Sequence, residues 1–358
     1  MATRSRFAAT GTVLGISALL LAGCGAAPEE SSSSNKEASD YKACIISDEG
    51  GFDDKSFNEN SYKGVKAAEE DYGIKVAESQ SESAADFNPN MTSLVQQSCN
   101  SIISVGFALA DTTKQAAQDN PDIHFAIVDD GSIEADNVRP IVYDTAQAAF
   151  QAGYLAAAQS KTGKVATYGG AEMPTVTIFT QGFKQGVDYY NKEKNKDVKV
   201  LGTDSFTGDF TDQTKGKTLT QNFLDQGADV IMPVAGPVGA GTLEAVTEYN
   251  KSHSDAPASV IWVDSDGYET NPNYQDIILT SVQKKMKEAV ESTIKDDIDG
   301  KFTNEKYIGT LQNDGVGLAP FHNFEDKVSS ETKSELDTIK EKIVSGEITV
   351  KTDGTPTK

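Results

Sequence analysis

Short apolar segments alternate with amphipathic segments along the chain from Tyr41 onward. The apolar segments are mostly continuous, which is typical of strands covered on both faces in a parallel sheet. They predict strands at Ala43–Ser47, Lys75–Ala77, Ser101–Val105, His124–Val128, Lys164–Tyr168, Lys199–Leu201, Val230–Val234, Ser259–Val263 and Ile277–Val282. The amphipathic segments predict helices at Ser56–Tyr72, Asn88–Gln97, Thr112–Gln118, Thr145–Lys161, Val176–Glu193, Thr214–Gln226, Gly239–Lys251 and Lys284–Asp297. Strict strand–helix alternation predicts an α/β fold with doubly wound parallel sheets.

The number of predicted strands favours two lobes over one large sheet. The segment NVRPIVYD, residues 137–144, breaks the helical pattern and predicts an extended connection between two sheets. We expect an N-terminal lobe formed by residues 41–143 plus about 282–315. A C-terminal lobe would contain residues 144–281 plus about 316–358, with a hinge between the two lobes.

Residues 1–23 have the pattern of a bacterial lipoprotein signal peptide. Arg4 and Arg6 precede an apolar segment (GTVLGISALLLA) that is shorter than the ~20 residues needed to span a bilayer. Gly23 stands directly before Cys24, as in a lipobox, so Cys24 is expected to carry acyl chains such as palmitate and to become the mature N-terminus. Such acylation would anchor the protein to the outer face of the cell membrane. An ordinary signal peptide with a chance cysteine is the alternative.

Residues 24–40 are small, polar and without apolar periodicity, which predicts a disordered tether. The whole chain has a net charge of −22, and removal of Arg4 and Arg6 makes it −24. This charge argues against nucleic acid, an anionic membrane surface or a polyphosphate as partners. The solubility of an exported protein is a sufficient explanation for it.

Two cysteines remain after the predicted processing. Cys44 opens a predicted strand, and Cys99 directly precedes another. Strand starts lie at one end of a parallel sheet, and an exported location permits oxidation, so we expect a Cys44–Cys99 disulfide. Two free, buried thiols are the alternative.

Ligands in open α/β sheets bind beyond the carboxyl ends of the strands, so the residues after each strand are candidates. The first strand is followed by a double-glycine turn that contains Asp53 and leads to Ser56, which we expect to cap the next helix with Glu59 as its capping-box partner. Phe57 would stack on a flat ligand, and Asn58 offers both a donor and an acceptor. Packing of Phe57 under the helix and solvation of Asn58 are the structural alternatives.

Further candidates follow four later strands. Asp129 follows Val128, Gly236 lies in a glycine-rich turn, and Asp264 follows Val263. A carboxylate at a strand end suits a vicinal diol, because its two oxygens accept from both hydroxyl groups. Lys284 would supply a donor. A helix-capping role is the alternative for each acid taken singly, but acids after different strands converge on one cleft.

The stretch DEGGFDDKSFN from Asp48, together with FAIVD ending at Asp129 and WVDSD starting at Trp262, resembles the basic membrane protein (Bmp, PnrA-like) family of lipoproteins. The resemblance extends from about Ala43 to about Asn313. It implies a type I periplasmic-binding-protein fold and a bound nucleoside, with purine nucleosides favoured. It also implies delivery to an ABC permease with a separate ATPase subunit.

The resemblance also implies roles for individual residues. The base would stack on Phe57 and be held at its edge by Asn58 and Asp129, while Asp264, the Gly236 turn and Lys284 would hold the ribose. Relatives commonly provide a second aromatic residue; here the expected equivalents are Met232, whose thioether can contact a ring face, or Phe179.

Other functions are weighed against this one. The sequence has no G-x-S-x-G or H-E-x-x-H motif, and His124, His253 and His322 form no triad or metal pattern, so we expect neither an enzyme nor a metal or cofactor site. A binding protein for a sugar or another small polar solute remains open, as does a surface receptor or adhesin without transport. We expect a monomer.

Overall fold

The computed structural model describes residues 40–357, and the signal peptide, Cys24 and nearly all of the tether lie outside this range. The strands are β1 (Lys42–Glu49), β2 (Lys75–Ser81), β3 (Ser101–Val105), β4 (His124–Val128), β5 (Val138–Tyr143), β6 (Lys164–Gly169), β7 (Lys199–Leu201), β8 (Val230–Val234), β9 (Ser259–Asp264), β10 (Ile278–Lys284), β11 (Tyr307–Gly309) and β12 (Val316–Leu318). They form two six-stranded sheets, in the orders β11-β5-β4-β3-β1-β2 and β12-β10-β9-β8-β6-β7. Only β12 pairs antiparallel among these strands. The predicted α/β fold with two parallel sheets is confirmed.

Helices flank both sheets. They are α1 (Phe57–Tyr72), α2 (Phe87–Gln96), α3 (Ala110–Asp119), α4 (Thr145–Gln159), α5 (Pro174–Lys194), α6 (Gln213–Asp225), α7 (Gly239–Ser252), α8 (Gly267–Thr270), α9 (Met286–Ile298) and α10 (Ser330–Val344). Within residues 40–357, no helix combines the length and the apolar character needed to cross a membrane.

The segment predicted as a connection between the sheets is itself strand β5. Val138 and Ile141 are buried in it, and Pro140 pairs with Ile127 of β4. The apolar residues on both sides of the proline continue the hydrophobic face of the sheet, which explains why the chain stays extended there. The crossing to the second sheet therefore comes directly after Tyr143.

The chain passes between the sheets three times: after β5, after β10 and between β11 and β12. The second crossing follows Lys284, which is the last residue of β10. We propose that each sheet with its helices is one lobe, and that these crossings form the hinge.

Helix α5 borders the space between the sheets, and close packing against α4 fixes its position. A Cβ atom at Gly153 would lie 1.9 Å from the carbonyl oxygen of Phe183, and one at Gly186 would lie 1.9 Å from that of Phe150. Only glycine permits backbones to approach so closely. This packing fixes the position of the first two turns of α5, which border the cleft.

The predicted disulfide is present in the first sheet. Cys44 and Cys99 are both buried, and their Cα atoms are 5.9 Å apart. The bond ties the start of β1 to the turn that precedes β3, two strands that already pair in parallel. It lies at the end of the sheet opposite the cleft.

Candidate ligand-binding cavity

A cavity of about 340 Å³ lies between the carboxyl ends of the two sheets. The first sheet contributes the ends of β1 and β4 and the start of α1, and the second contributes the ends of β8, β9 and β10 together with α5. The volume is within the range of pockets that hold small organic ligands. Seven of the nine candidate residues line it: Phe57, Asn58, Asp129, Phe179, Gly236, Asp264 and Lys284.

Two candidate residues do not line this cavity. Asp53 is exposed on the double-glycine turn, whereas its neighbour Asp54 is buried and lines the cavity. Met232 is fully buried in the core beneath β8. Met232 lies two residues before the end of β8, and from this part of the chain the cavity is lined only by Val234, the last residue of that strand, and by the turn beyond it at Gly236.

The carboxylates of the two lobes are presented by matching backbone turns. Asp129 directly follows β4 and has a φ of 63°, and Asp264 is the last residue of β9 and has a φ of 69°. Left-handed backbone is uncommon for residues other than glycine, and such strain concentrates at functional sites. Each turn directs an acid from the end of its strand towards the space between the sheets.

Lys284 is the cation between these two acids. Its Nζ forms an ion pair with Asp129 and lies 3.4 Å from Oδ1 of Asp264. The side chain is only 5% exposed. Burial alone would lower the pKa of Lys284, but the two carboxylates raise it above its ordinary value, so the amine stays charged.

Aromatic rings surround the same ammonium group. Nζ of Lys284 lies 5.0 Å from the ring centre of Phe57, 5.2 Å from that of Phe179 and 6.0 Å from that of Tyr143. These distances fit cation–π contacts. Phe57 comes from the first lobe and Phe179 from the second, so the cavity offers apolar ring surfaces from both sides around one buried charge.

A second polar cluster centres on Asn58. Its Nδ2 donates to Oδ1 of Asp48 at 2.8 Å and to Oδ2 of Asp54 at 3.2 Å. Its Oδ1 is buried and, among the described residues, accepts no hydrogen bond. Buried polar atoms are nearly always paired, so this oxygen is an acceptor available to a ligand donor.

The helix cap at the start of α1 differs from the expected one. Asp54 caps the helix, because its carboxylate accepts from the backbone N–H groups of Ser56, Asn58 and Glu59 at 2.8–3.0 Å. The side chain of Glu59 accepts from the backbone N–H of Lys55 rather than that of Ser56. The side chain of Asp54 therefore both caps α1 and forms part of the cavity wall.

The side chain of Ser56 does not cap the helix but forms a hydrogen bond to the second lobe. Its Oγ donates to Oδ2 of Asp264 at 2.9 Å, and Nδ2 of Asn60 donates to the carbonyl oxygens of Asp264 and Lys284 at 3.2 and 3.0 Å. Oγ of Ser265 donates to the carbonyl oxygen of Lys55 at 2.8 Å. These bonds join the start of α1 to the second lobe, so the structure shows the lobes in contact.

Burial raises the pKa values of the two acids that bind Asn58, Asp48 and Asp54. It raises the pKa of Asp48 to about 8, partly offset by the bond from Asn58, and raises that of Asp54 to about 6, partly offset by its three backbone donors. At neutral pH, Asp48 therefore holds a proton in much of the population and can donate it in a hydrogen bond. The cavity thus combines a charged pair around Lys284 with a neutral acid beside Asn58.

The raised pKa of Asp48 predicts a pH-dependent stability. Between about pH 4 and pH 8 the folded chain retains a proton that the unfolded chain releases, so the free energy of unfolding falls as pH rises. Asp48→Asn removes this dependence, so its stability relative to the wild type is expected to rise between about pH 5 and pH 8. Urea unfolding at both pH values measures this, with the exposed Asp53→Asn as control. A constant difference between Asp48→Asn and wild type would contradict the pKa shift.

Several residues that line the cavity were not among the candidates predicted from the sequence. Asp48 lies near the end of β1 and follows the same strand-end rule that located Asp129, so the signal was present. Phe210 lies in an irregular segment after β7 where no periodic pattern identifies it, and its ring packs so closely that a Cβ atom at Gly170 would lie 2.4 Å away. Phe107, in the turn after β3, also lines the cavity.

Two parallel-sheet lobes with a polar and aromatic cavity between them are the architecture of solute-binding proteins of ABC transporters. A crystal structure of such a solute-binding protein from Aeropyrum pernix is similar to this chain, with a TM-score of 0.79 and 26% sequence identity. The similarity covers 87% of this chain and 94% of that one.

The model of the Bmp family, ABC transporter substrate-binding proteins of the PnrA-like type, matches residues 42–353, and the chain belongs to this family. It is 31% identical to the ABC transporter nucleoside-binding protein BmpA of Lactococcus lactis, over 97% of this chain and 99% of that protein. It is also 31% identical to basic membrane protein A of Borreliella burgdorferi, over 86% of this chain and 87% of that protein. The relatives are substrate-binding proteins rather than enzymes.

Proposed function

We propose that this chain captures nucleosides, with purine nucleosides favoured, and delivers them to an ABC permease as a lipid-anchored extracytoplasmic protein. The observation that carries the proposal is the cavity itself, where Phe57 and Phe179 from opposite lobes flank a buried lysine that is paired with two carboxylates. A nucleoside has the matching chemistry, since it joins a flat heterocycle to a vicinal diol.

The base is proposed to bind beside α1. Phe57 offers a ring face for stacking, and the free Oδ1 of Asn58 accepts from a ring or exocyclic N–H group. The protonated carboxyl of Asp48, held next to Asn58, donates to a ring nitrogen or carbonyl oxygen. Asp129 stands at the other edge of the base. A heterocycle with both donors and acceptors, such as a purine, satisfies this mixed edge.

The sugar is proposed to bind near the second lobe. Asp264 accepts from the two hydroxyl groups of the ribose, and Nζ of Lys284 donates to one of them. The turn at Gly236 has a φ of 51° and brings backbone close to the cavity. Because Asp264 also accepts from Ser56 of the first lobe, a sugar at this carboxylate contacts both lobes only when they are closed.

Delivery follows from this two-lobe contact. An open form takes the base on the first lobe, and closure of the second lobe over the sugar stabilises the closed state by the bonds that exist only there. The closed form then docks on the permease, while a separate ATPase subunit hydrolyses ATP. Acylation of Cys24, with residues 25–40 as the tether, would keep the lobes within reach of the membrane.

Replacement of Phe57 tests the base site. Phe57→Ala is expected to weaken nucleoside binding by roughly 1–3 kcal/mol, because it removes a stacking surface. Calorimetric titration with inosine measures the change. Phe302→Ala is the matched control, since Phe302 stacks on His124 and does not line the cavity. Equal affinity of Phe57→Ala and wild type would show that the base does not stack there.

A further inference from the structure

A second cavity, of about 430 Å³, adjoins the first. Five residues line both cavities: Phe107, Asp129, Met173, Thr175 and Lys284. The proposed nucleoside fills only the first, yet the two spaces share the ion pair between Lys284 and Asp129. A ligand atom at this ion pair thus stands at the boundary of a second space that is at least as large as the first.

The last residues of the chain form the outer wall of this second cavity, defined here as the tail (residues 353–357). Oδ1 of Asp353 accepts from Oγ1 of Thr177 in α5 at 2.9 Å. The carbonyl oxygen of Thr357 accepts from Nζ of Lys306, just before β11, at 3.1 Å. The tail is therefore bonded to elements of both sheets, and these bonds hold the wall of the second cavity in place.

Two buried hydroxyl groups belong to residues that line this second cavity. Tyr143 is 4% exposed and Thr145 is 1% exposed, and neither hydroxyl has a hydrogen-bond partner among the described residues. A buried hydroxyl without a partner is unfavourable, because it has lost its bonds to water and gained none in return. A polar group bound in the second cavity would reduce this cost.

The charged residues that line the second cavity indicate which kind of polar ligand group it can bind. Asp129, Asp130 and Asp353 line it, against Lys284 and Lys306, so acids outnumber bases. Lys284 is already paired with Asp129 and Asp264. A phosphate would add negative charge to this surplus, whereas an uncharged hydroxyl-bearing group meets hydroxyl partners and apolar walls such as Ile178.

We propose that the second cavity is a subsite for an uncharged, hydroxyl-bearing substituent on the nucleoside, so that the protein accepts substituted nucleosides as well as the parent compounds. This inference rests on the proposed function, because the subsite extends the nucleoside cavity. It adds a ligand class that is larger than a nucleoside and excludes nucleotides.

Calorimetry with a matched set of ligands tests the subsite. The probes are inosine, two inosine derivatives with a 2-hydroxyethyl group on either the 5′ oxygen or the base nitrogen N1, and inosine 5′-monophosphate. The proteins are the wild type, Ser132→Trp, which fills the second cavity from an exposed loop, and Ser132→Ala as the matched control. Ser132 does not line the first cavity.

Wild type is expected to bind one hydroxyethyl derivative about as tightly as inosine, and to bind the monophosphate at least about tenfold more weakly. Ser132→Trp is expected to keep inosine affinity and to lose at least about tenfold for that derivative, because the indole ring occupies the space that the substituent needs. Rejection of both derivatives by a wild type that binds inosine would overturn the subsite alone. Failure of every nucleoside to bind would overturn the proposed function and the subsite with it.

Discussion

Lys284→Met is expected to lower the free energy of unfolding by about 3–5 kcal/mol and to remove most nucleoside affinity. Methionine keeps the length of the side chain but leaves Asp129 and Asp264 without the cation that both face. Breaking a buried ion pair from one side is costly because a charge then stays buried without compensation. The ligand also loses a charged donor, worth roughly 1.5–3 kcal/mol.

The pH dependence of this variant separates charge from packing. Burial raises the pKa of Asp129 and Lys284 lowers it, so without Lys284 this pKa rises further and the folded variant holds a proton that the unfolded chain releases. Its stability deficit should therefore shrink as pH falls from about 8 to about 5. Chemical denaturation at several pH values measures the deficit, with the exposed Lys287→Met as control.

A second variant decides whether the ion pair is the cause. Asp129→Asn suits the left-handed backbone at this position, and combined with Lys284→Met it removes the acid that forms the ion pair. The double variant should recover part of the lost stability, since contacting residues are not additive. A double variant no more stable than Lys284→Met alone would contradict the ion-pair account and would indicate that Lys284 acts through packing.

Removal of the disulfide by Cys44→Ala and Cys99→Ala is expected to cost about 4 kcal/mol of stability. The cysteines are 55 residues apart in sequence, and the loss of chain entropy in a loop of that length accounts for the figure. The bond lies far from the cavity, so a folded variant should bind nucleosides with unchanged affinity.

Urea unfolding of the double-alanine variant, in parallel with the reduced wild type, measures this effect. Both are expected to lose similar stability, because both lack the cross-link. A loss under about 1 kcal/mol in both would show that the unfolded chain gains little freedom when the bond is absent. A large change in nucleoside affinity would contradict the separation between the disulfide and the cavity.

The fold was predictable because its strands are continuous apolar runs. Segments such as Ser101–Val105 and Val230–Val234 have the observed bounds, and the rule that ligands meet strand ends located Asp129 and Asp264. The same rule applied to the end of β1 would have located Asp48. Acidic residues at strand ends can thus be predicted from the sequence wherever the strand itself can be predicted.

The positions of three residues relative to the cavity could not be predicted, for a different physical reason. Met232 lies two residues before the end of β8, and a continuous apolar run does not show how far from the strand end the cavity begins. Asp53 and Asp54 are adjacent, and the turn that buries only the second depends on positive φ values at Gly50, Gly51 and Lys55. Phe210 reaches the cavity through tertiary packing against Gly170, for which the local sequence has no signal.

Calorimetric titration of residues 41–358 with inosine, guanosine, adenosine, uridine, cytidine and ribose tests the central claim most directly. The protein is first unfolded and refolded to remove any bound ligand, and its fold is checked by circular dichroism. We predict saturable binding of nucleosides, strongest for the purines, and no comparable binding of ribose. A folded, ligand-free protein that gives no heat with any nucleoside, or that binds ribose as tightly as inosine, would contradict the assignment of the cavity to nucleosides.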